Sequence, residues 1–148
     1  MKIEDEIKGR FRNDYHKGMI NLIFTTNQLN HQFQQYLKVH NLSTSQYNIL
    51  RVLRGFGDKP RSINFLKEQM LDRKSDVSRL VDKLHQRGLI RRTECSQDRR
   101  QKDLEITNPG LQILGKMDVC EKQVDTLLAN LQQEEVQQLN LLLDKIRD

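Results

Sequence analysis

The feature that most constrains this chain is the segment from Asp72 to Asp103, in which a helical pattern is followed directly by a hairpin pattern. Its first apolar residues recur at spacings of three and four and therefore share one face of a helix: Val77, Leu80, Val81 and Leu84. Gly88 is the residue type that ends a helix in the left-handed conformation. The pattern predicts an amphipathic helix from about Asp72 to Arg87, capped by Asp72 or Ser75.

Two short strands are predicted after this helix, at residues 89–93 and 102–106. In the second, Leu104 and Ile106 alternate with charged residues, as they do in a strand with one buried face. The polar residues 96–101 between the strands, which include two arginines, form the loop. A helix followed by a hairpin with a basic tip is suited to contact two grooves of DNA at once.

Charge is concentrated in the same segment. Residues 72–103 carry ten Lys or Arg against six Asp or Glu, a net charge of +4, whereas the whole chain has a formal net charge of +5. Residues 108–148 carry four basic residues against seven acidic ones, a net charge of −3. The basic balance permits a nucleic acid or an anionic membrane as partner, and the acidic C-terminal region is not a nucleic-acid surface.

Length and composition favour one soluble, mostly helical domain over residues 1–148, because 36% of the residues are hydrophobic and 30% are charged. No apolar run approaches the roughly 18 residues that span a bilayer, and residues 1–6 lack the apolar region of a signal peptide. We therefore expect a cytoplasmic protein without a membrane partner. A phosphate-binding loop and a GxSxG nucleophile motif are both absent from the sequence, which argues against an enzyme, and no cofactor is expected.

The spacing of the cysteines and histidines gives little support for a metal site or a disulfide. The two cysteines, Cys95 and Cys120, form no CxxC pair, and the four histidines show no HxxxH or HExxH spacing. Cys120 lies in the apolar pattern of a helix and is expected in the core. Cys95 lies close in sequence to Arg91 and Arg92, which can lower a thiol pKa, so it is either a redox sensor or an inert cysteine in a strand.

The remaining helices follow from breakers and caps. A long helix is predicted over residues 15–39, a second after the cap cluster at 43–45, and a short third over 63–70. Thr107 can cap a later helix that has Pro109 in its first turn and an apolar pattern that continues to Leu131. Residues 136–146 are predicted to form the last helix. The fold class is therefore mainly α with a small β-hairpin, a winged helix-turn-helix core with additional N- and C-terminal helices.

The order of these elements resembles the MarR family of bacterial transcriptional regulators. The resemblance covers nearly the whole chain and includes a motif met by Asp98, Arg100, Thr107 and Gly110. It implies a DNA-binding core at about 43–107 and helices at about 10–40 and 108–148 that interlock in a homodimer. Apolar stripes too long for the small core support a packed partner, with a monomer whose ends fold back as the alternative.

Candidate DNA contacts follow from groove chemistry. The N-terminal half of a recognition helix usually meets base edges, and its polar residues here are Arg73, Lys74, Ser75, Asp76, Ser78 and Arg79. Arg79 can either read guanine or clamp a phosphate, while Lys83 lies farther along, towards backbone or solvent.

In the wing, the resemblance implies that Arg100 enters the minor groove. Arg99 and Gln101 flank it as further candidates. Asp98 would orient a neighbouring arginine or cap the turn, because a carboxylate is repelled by phosphates. Arg91 and Arg92 are expected to support the wing or to hold phosphates, with only one of them facing the duplex because strand residues alternate.

The resemblance also implies a small, often aromatic or phenolic effector in a cleft between the outer helices and the core. Candidates to line it are Tyr15, His16, Tyr36 and Tyr47, for which the alternative is a place in the core or interface. The sequence thus predicts a ligand-responsive repressor that binds a pseudo-palindromic DNA operator as a homodimer. A non-specific, nucleoid-like DNA binder and a winged-helix module that binds protein are the alternatives.

Overall fold

The computed structural model describes residues 1–57 and 59–148, except for the side chains at 119–121 and 123. The side chain of Cys120, expected in the core, lies outside this description. The described elements, in chain order, are α1 (Ile3–Glu6), α2 (Asp14–Lys38), α3 (Thr44–Gly55), β1 (Arg61–Ser62), α4 (Ile63–Gln69), α5 (Val77–Gln86), β2 (Ile90–Glu94), β3 (Lys102–Ile106), α6 (Asn108–Asp125), a 3-10 turn (Thr126–Leu128) and α7 (Gln133–Arg147).

Side-chain caps fix the beginnings of α2 and α3. Asn13 Oδ1 accepts a hydrogen bond from the His16 N–H at 2.9 Å, so α2 begins within one residue of its predicted start. Ser43 and Gln46 form a reciprocal capping box at the start of α3, where two backbone N–H groups would otherwise lack partners. Asn41, with a φ of 51°, makes the turn between the two helices in the left-handed conformation.

The recognition helix α5 begins later than the sequence predicts. Neither Asp72 nor Ser75 caps it; Asp76 does, through a hydrogen bond from the Arg79 N–H at 3.2 Å. Asp72 is occupied in the preceding turn, because its carboxylate accepts from the Lys74 N–H at 2.9 Å. Residues 72–75 are therefore a turn and not the first helical turn.

The sheet has three antiparallel strands in the order β1-β3-β2, one more than the predicted hairpin. Arg61 in β1 pairs with Leu104, and Ile90 in β2 pairs with Ile106. The guanidinium of Arg61 lies 4.5 Å and 4.7 Å from the ring centroids of Phe56 and Phe65, which holds this short strand in place. Two residues are too few to show the alternation of apolar and polar residues that predicts a strand.

One core joins the winged part of the chain to the ends of its neighbours. It contains apolar residues of α3, α4, α5 and the sheet, together with Leu37 from the end of α2 and Leu114 and Met117 from the first half of α6. By contrast, Leu37 is the only buried residue of α2, and α7 has none among the described residues. The mainly helical winged helix-turn-helix fold class is confirmed, with most of α2 and all of α7 outside its core.

The C-terminal helices divide at a different place from the one predicted. Thr107 caps α6 by accepting from the Gly110 N–H at 3.3 Å, and Pro109 lies in the first turn as expected. The helix ends at Asp125, before the apolar pattern does, and α7 begins at Gln133. No helix in the described part of the chain is both long and apolar enough to cross a membrane.

The short helix α1 is attached to α2 by an exposed ion pair. Lys17 Nζ donates to the Glu4 carboxylate, and this hydrogen bond lowers the pKa of Glu4 and raises the pKa of Lys17. Ile3 in the same helix is 6% exposed, so an apolar contact accompanies the charge pair.

Candidate nucleic-acid interface

The recognition helix turns one face to the core and the other to solvent. Val77, Val81 and Leu84 are at most 1% exposed, which fixes the rotation of α5 about its axis. The opposite face presents the exposed candidates Ser78, Arg79 and Lys83. Because the buried stripe is fully packed, these three side chains project from a rigid element, as base-edge contacts require.

The other candidates of this group lie before the helix. Arg73 and Lys74 are exposed in the turn that precedes α5, and Asp76 is used as its N-cap. The Ser75 hydroxyl lies 3.2 Å from the hydroxyl of Ser45, which connects the turn to the start of α3. The cations therefore flank the N-terminus of α5, where the helix dipole also favours an anion.

The wing loop is ordered by its own backbone and by Asp98. The Asp98 carboxylate accepts from the Arg100 N–H at 2.9 Å, while the Asp98 carbonyl accepts from the Gln101 N–H at 3.0 Å. The side chains of Arg99, Arg100 and Gln101 are exposed, and neither arginine side chain forms a hydrogen bond or ion pair within the described residues. Two guanidinium groups at the tip thus remain available for an anionic partner.

Arg91 and Arg92 are engaged within the protein. Arg91 pairs with Glu105 on the neighbouring strand, directly across the β2–β3 ladder. Arg92 pairs with Asp82, which lies on the recognition helix. This second pair links the base of the wing to α5, so it couples the two elements that would enter adjacent grooves.

The residues after the wing join it to α6. The Thr107 hydroxyl donates to the Gly88 carbonyl at 2.6 Å, and the Thr107 N–H donates to the Leu89 carbonyl at 3.1 Å. Gly88 has a φ of 70°, the left-handed conformation predicted for it. Gly110 packs so closely that an added Cβ would lie 2.3 Å from the Leu89 oxygen. These contacts fix the end of α5 against the start of α6.

The four residues predicted for a ligand cleft are not brought together within one chain. Tyr15 and His16 open α2 and Tyr36 lies near its other end, about 30 Å away at a rise of about 1.5 Å per residue. Tyr15 is 90% exposed, and the Tyr47 ring packs edge-on against Phe33 with centroids 5.5 Å apart. None of the four lines either of two cavities beside α2 and α3.

Cys95 lies just beyond β2, in the wing loop and not in a strand, and it is half-buried with a free thiol. Its N–H donates to the Gln101 carbonyl at 3.2 Å. Among the described residues, no group of three or more His, Cys, Asp or Glu side chains is placed to hold a metal ion.

Contacts between distant residues are what the sequence reasoning missed. The Arg92–Asp82 pair joins residues with no diagnostic spacing, and the Ser45–Ser75 contact joins residues 30 positions apart. Arg87, at the end of α5, donates to the carbonyls of His40 and Asn41 at 3.1 Å and 2.6 Å. No local periodicity signals any of these three contacts.

Helix α4, a turn and helix α5 with one face buried in the core are followed by a sheet whose wing carries arginines at its tip. This arrangement defines a winged helix-turn-helix protein of the DNA-binding class. Comparison with known proteins shows which proteins the chain is similar to. The MarR family model matches residues 40–101. The curated HTH-type transcriptional regulator MhqR of Bacillus subtilis is 24% identical over 119 residues, which are 80% of this chain and 81% of that protein.

Several solved structures are similar to this one over most of the chain. A MarR transcription factor from Planctomyces limnophilus is 26% identical, with a TM-score of 0.71 over 91% of this chain and 98% of that one. BpsR of Bordetella bronchiseptica, whose DNA binding is regulated by 6-hydroxynicotinic acid, is 21% identical, with a TM-score of 0.78 over 89% of this chain and 99% of that one. Residues 40–101 thus match the MarR family model, and the chain has the winged-helix fold of MarR-type transcriptional regulators over most of its length.

Proposed function

We propose that this protein is a sequence-specific regulator that binds double-stranded DNA through α5 and its wing. The observation that carries the proposal is an exposed polar face on a rigidly packed helix together with two exposed wing-tip arginines, which have no side-chain partner among the described residues. Ser78 and Arg79 face base edges in the major groove, and Arg100 enters the neighbouring minor groove. Arg73, Lys74, Lys83 and Arg99 contact phosphates beside them.

The functional unit in this proposal is a homodimer built from α2, α6 and α7. Large apolar side chains on these helices are exposed in the single chain: Tyr15, Met19, Leu22, Ile23, Leu111, Leu141, Leu142 and Ile146. Their burial against a second copy would remove a large apolar area from water. Two-fold symmetry then matches a pseudo-palindromic operator with half-sites about one helical turn, roughly 34–36 Å, apart.

The regulator acts in this proposal as a repressor that a small molecule releases from DNA. The DNA binding of BpsR, which has a similar fold, is regulated by 6-hydroxynicotinic acid, and this likeness supports a small-molecule effector here. Repression is tested with a reporter gene behind the operator. Its expression is expected to rise when the gene for this protein is deleted, and unchanged expression would contradict repression.

The decisive experiment compares duplexes at matched salt concentration. Fluorescence anisotropy is measured with DNA from the region upstream of the gene and its neighbours, and with a scrambled duplex of equal length and composition. The proposal expects the best natural duplex to bind roughly 10³-fold or more tightly than the scrambled one. Equal affinities would indicate a non-specific, nucleoid-like binder, and an absence of binding to either duplex would favour a protein-interaction module.

A further inference from the structure

A cavity of about 790 Å³ lies between the C-terminal half of α2, the start of α3 and the recognition helix. It is open to solvent, and among the described residues Leu42 is the only apolar side chain in its lining. The cavity connects a proposed dimerisation helix to the element proposed to read DNA. Its occupant would therefore contact both elements at once.

The charged side chains that line this cavity are basic. Lys38 from α2, Lys83 from α5 and Arg87 from the end of α5 all line the cavity, and no carboxylate in the described part of the chain does. The chain as a whole has 20 acidic residues against 25 Lys and Arg, so a region with three cations and no acid stands apart from the general surface. Such a concave cationic lining concentrates anions.

Hydrogen-bond donors of the same region add to this charge. Ser43, the N-cap of α3, and Thr44 and Gln46 in its first turn line the cavity at the positive end of that helix. The Thr44 hydroxyl oxygen is buried and has no hydrogen-bond partner within the described residues. A polar lining of hydroxyls and amides around cations suits a strongly hydrated anion better than an aromatic molecule.

Arg87 connects this cavity to the geometry of the recognition helix. Its guanidinium donates to the carbonyls of His40 and Asn41 at the turn between α2 and α3. A guanidinium carries more N–H donors than these two bonds use, so it can hold an anion and the turn together. An anion bound between Arg87 and Lys38 would tie the end of α5 to α2.

We propose that this cavity is an effector site for a small polyanion, such as a compound with several phosphate or carboxylate groups. The proposal rests on the proposed function and names the chemical class and place of its effector. A bound polyanion takes Lys83 away from the duplex and adds negative charge beside α5, so DNA affinity falls. The site uses no aromatic residue of the cleft predicted from the sequence.

Binding is tested first without DNA, by isothermal titration calorimetry with inorganic pyrophosphate in buffer free of other multivalent anions. The wild-type protein is expected to bind pyrophosphate with a Kd in the millimolar range or below, about 10-fold or more tightly than Lys38→Gln. Lys116→Gln on α6 removes the same charge outside the cavity and should bind like wild type. Equal affinities of all three proteins, or no binding by wild type, would overturn the proposal.

The effect on DNA is tested with the best natural duplex and constant ionic strength. Saturating pyrophosphate is expected to weaken duplex binding by wild type about 5-fold or more, and to do so much less for Lys38→Gln. Without pyrophosphate, Lys38→Gln should bind the duplex as wild type does. A loss of duplex affinity in Lys38→Gln alone would mean that the cavity holds a DNA phosphate instead. Specific DNA binding with no pyrophosphate binding would sink this inference and leave the proposed function intact.

Discussion

The joint between the wing and α6 shows how much two small residues decide. Thr107 uses its hydroxyl both to donate to the Gly88 carbonyl and to accept from the Gly110 N–H. Gly110 allows the helix to approach the backbone at Leu89, which no residue with a side chain could do without a shift. The proposed DNA-binding surface therefore depends on residues that need not touch DNA.

Gly110→Ala is expected to destabilise the fold. The added methyl group would lie 2.3 Å from the Leu89 oxygen and 2.7 Å from Ile106 Cγ1, so backbone and side chain must move. Overpacking of this kind costs about 1–3 kcal/mol. Urea unfolding at a fixed protein concentration measures the change.

Gly115→Ala is the matched control, because it lies in the same helix and its added Cβ meets nothing within 4 Å. Its greater helix propensity is expected to stabilise by about 0.5–1 kcal/mol. If both alanines shift the midpoint equally, close approach at Gly110 does not explain its place in the motif.

Arg100→Ala is expected to weaken binding of the natural duplex about 10-fold or more, because a charge-assisted contact in the minor groove is lost. Anisotropy titrations at several salt concentrations measure the affinity and its salt dependence. Lys116→Ala, an exposed cation on α6, serves as the control and should bind as wild type. Sedimentation of Arg100→Ala should match wild type, and an unchanged DNA affinity would remove Arg100 from the interface.

At the scale of elements, the recognition helix is held from three sides. Its apolar face packs into the core, Asp82 pairs with Arg92 of β2, and Arg87 bonds to the turn after α2. The polar contacts lie at the surface, where each contributes little to stability. Their effect is on orientation, since they set α5 relative to the wing and to the long N-terminal helix.

Breaking the Arg92–Asp82 pair is expected to affect DNA binding more than stability. Arg92→Met and Asp82→Asn should each change the free energy of unfolding by less than about 1 kcal/mol. Each should weaken binding of the natural duplex, because the wing loses its fixed position. The double variant should bind this duplex no more weakly than Arg92→Met alone.

The same anisotropy and urea measurements apply to a control at the opposite end of the chain. Arg147→Met breaks the exposed pair with Asp144 and should leave duplex affinity unchanged. Additive losses for Arg92→Met and Asp82→Asn would contradict coupling through the pair and indicate separate contacts with DNA.

At the scale of the whole molecule, one chain leaves much of its apolar surface uncovered. Leu141, Leu142 and Ile146 of α7 are 50–69% exposed, and Tyr15, Met19 and Ile23 on α2 are 50–90% exposed. Soluble monomers rarely expose so many large apolar side chains. The proposed dimer explains why these helices extend beyond the winged core.

Wild-type protein is expected to sediment as twice the chain mass of 17.6 kDa at micromolar concentration. Leu142→Glu combined with Ile146→Glu should shift it to the single-chain mass, because two charges cannot be buried in an apolar interface. Leu71→Glu, at a residue 80% exposed in the turn before α5, should leave the mass unchanged. A single-chain mass for wild type would contradict the homodimer.

Much of the fold could be predicted because it rests on local chemistry. The spacing of Val77, Val81 and Leu84 predicted a buried helical face, and Gly88 ended that helix as expected. The predicted start of α5 was wrong because Asp72, Ser75 and Asp76 are all suitable caps. The choice among them depends on the turn that Asp72 stabilises. Strand β1 was missed because two residues carry no period.

The sequence by itself determined the helices, the hairpin and the basic segment, since periodicity, caps and charge act between near neighbours. The tertiary structure decided which arginines are available to bind DNA. Arg91 and Arg92 form ion pairs within the protein, while Arg99 and Arg100 lie exposed at the wing tip. It also decided that the cationic cavity forms, because Lys38 and Lys83 line one cavity only when α2, α3 and α5 are folded together. Such contacts depend on how distant elements pack, and no local spacing encodes that packing.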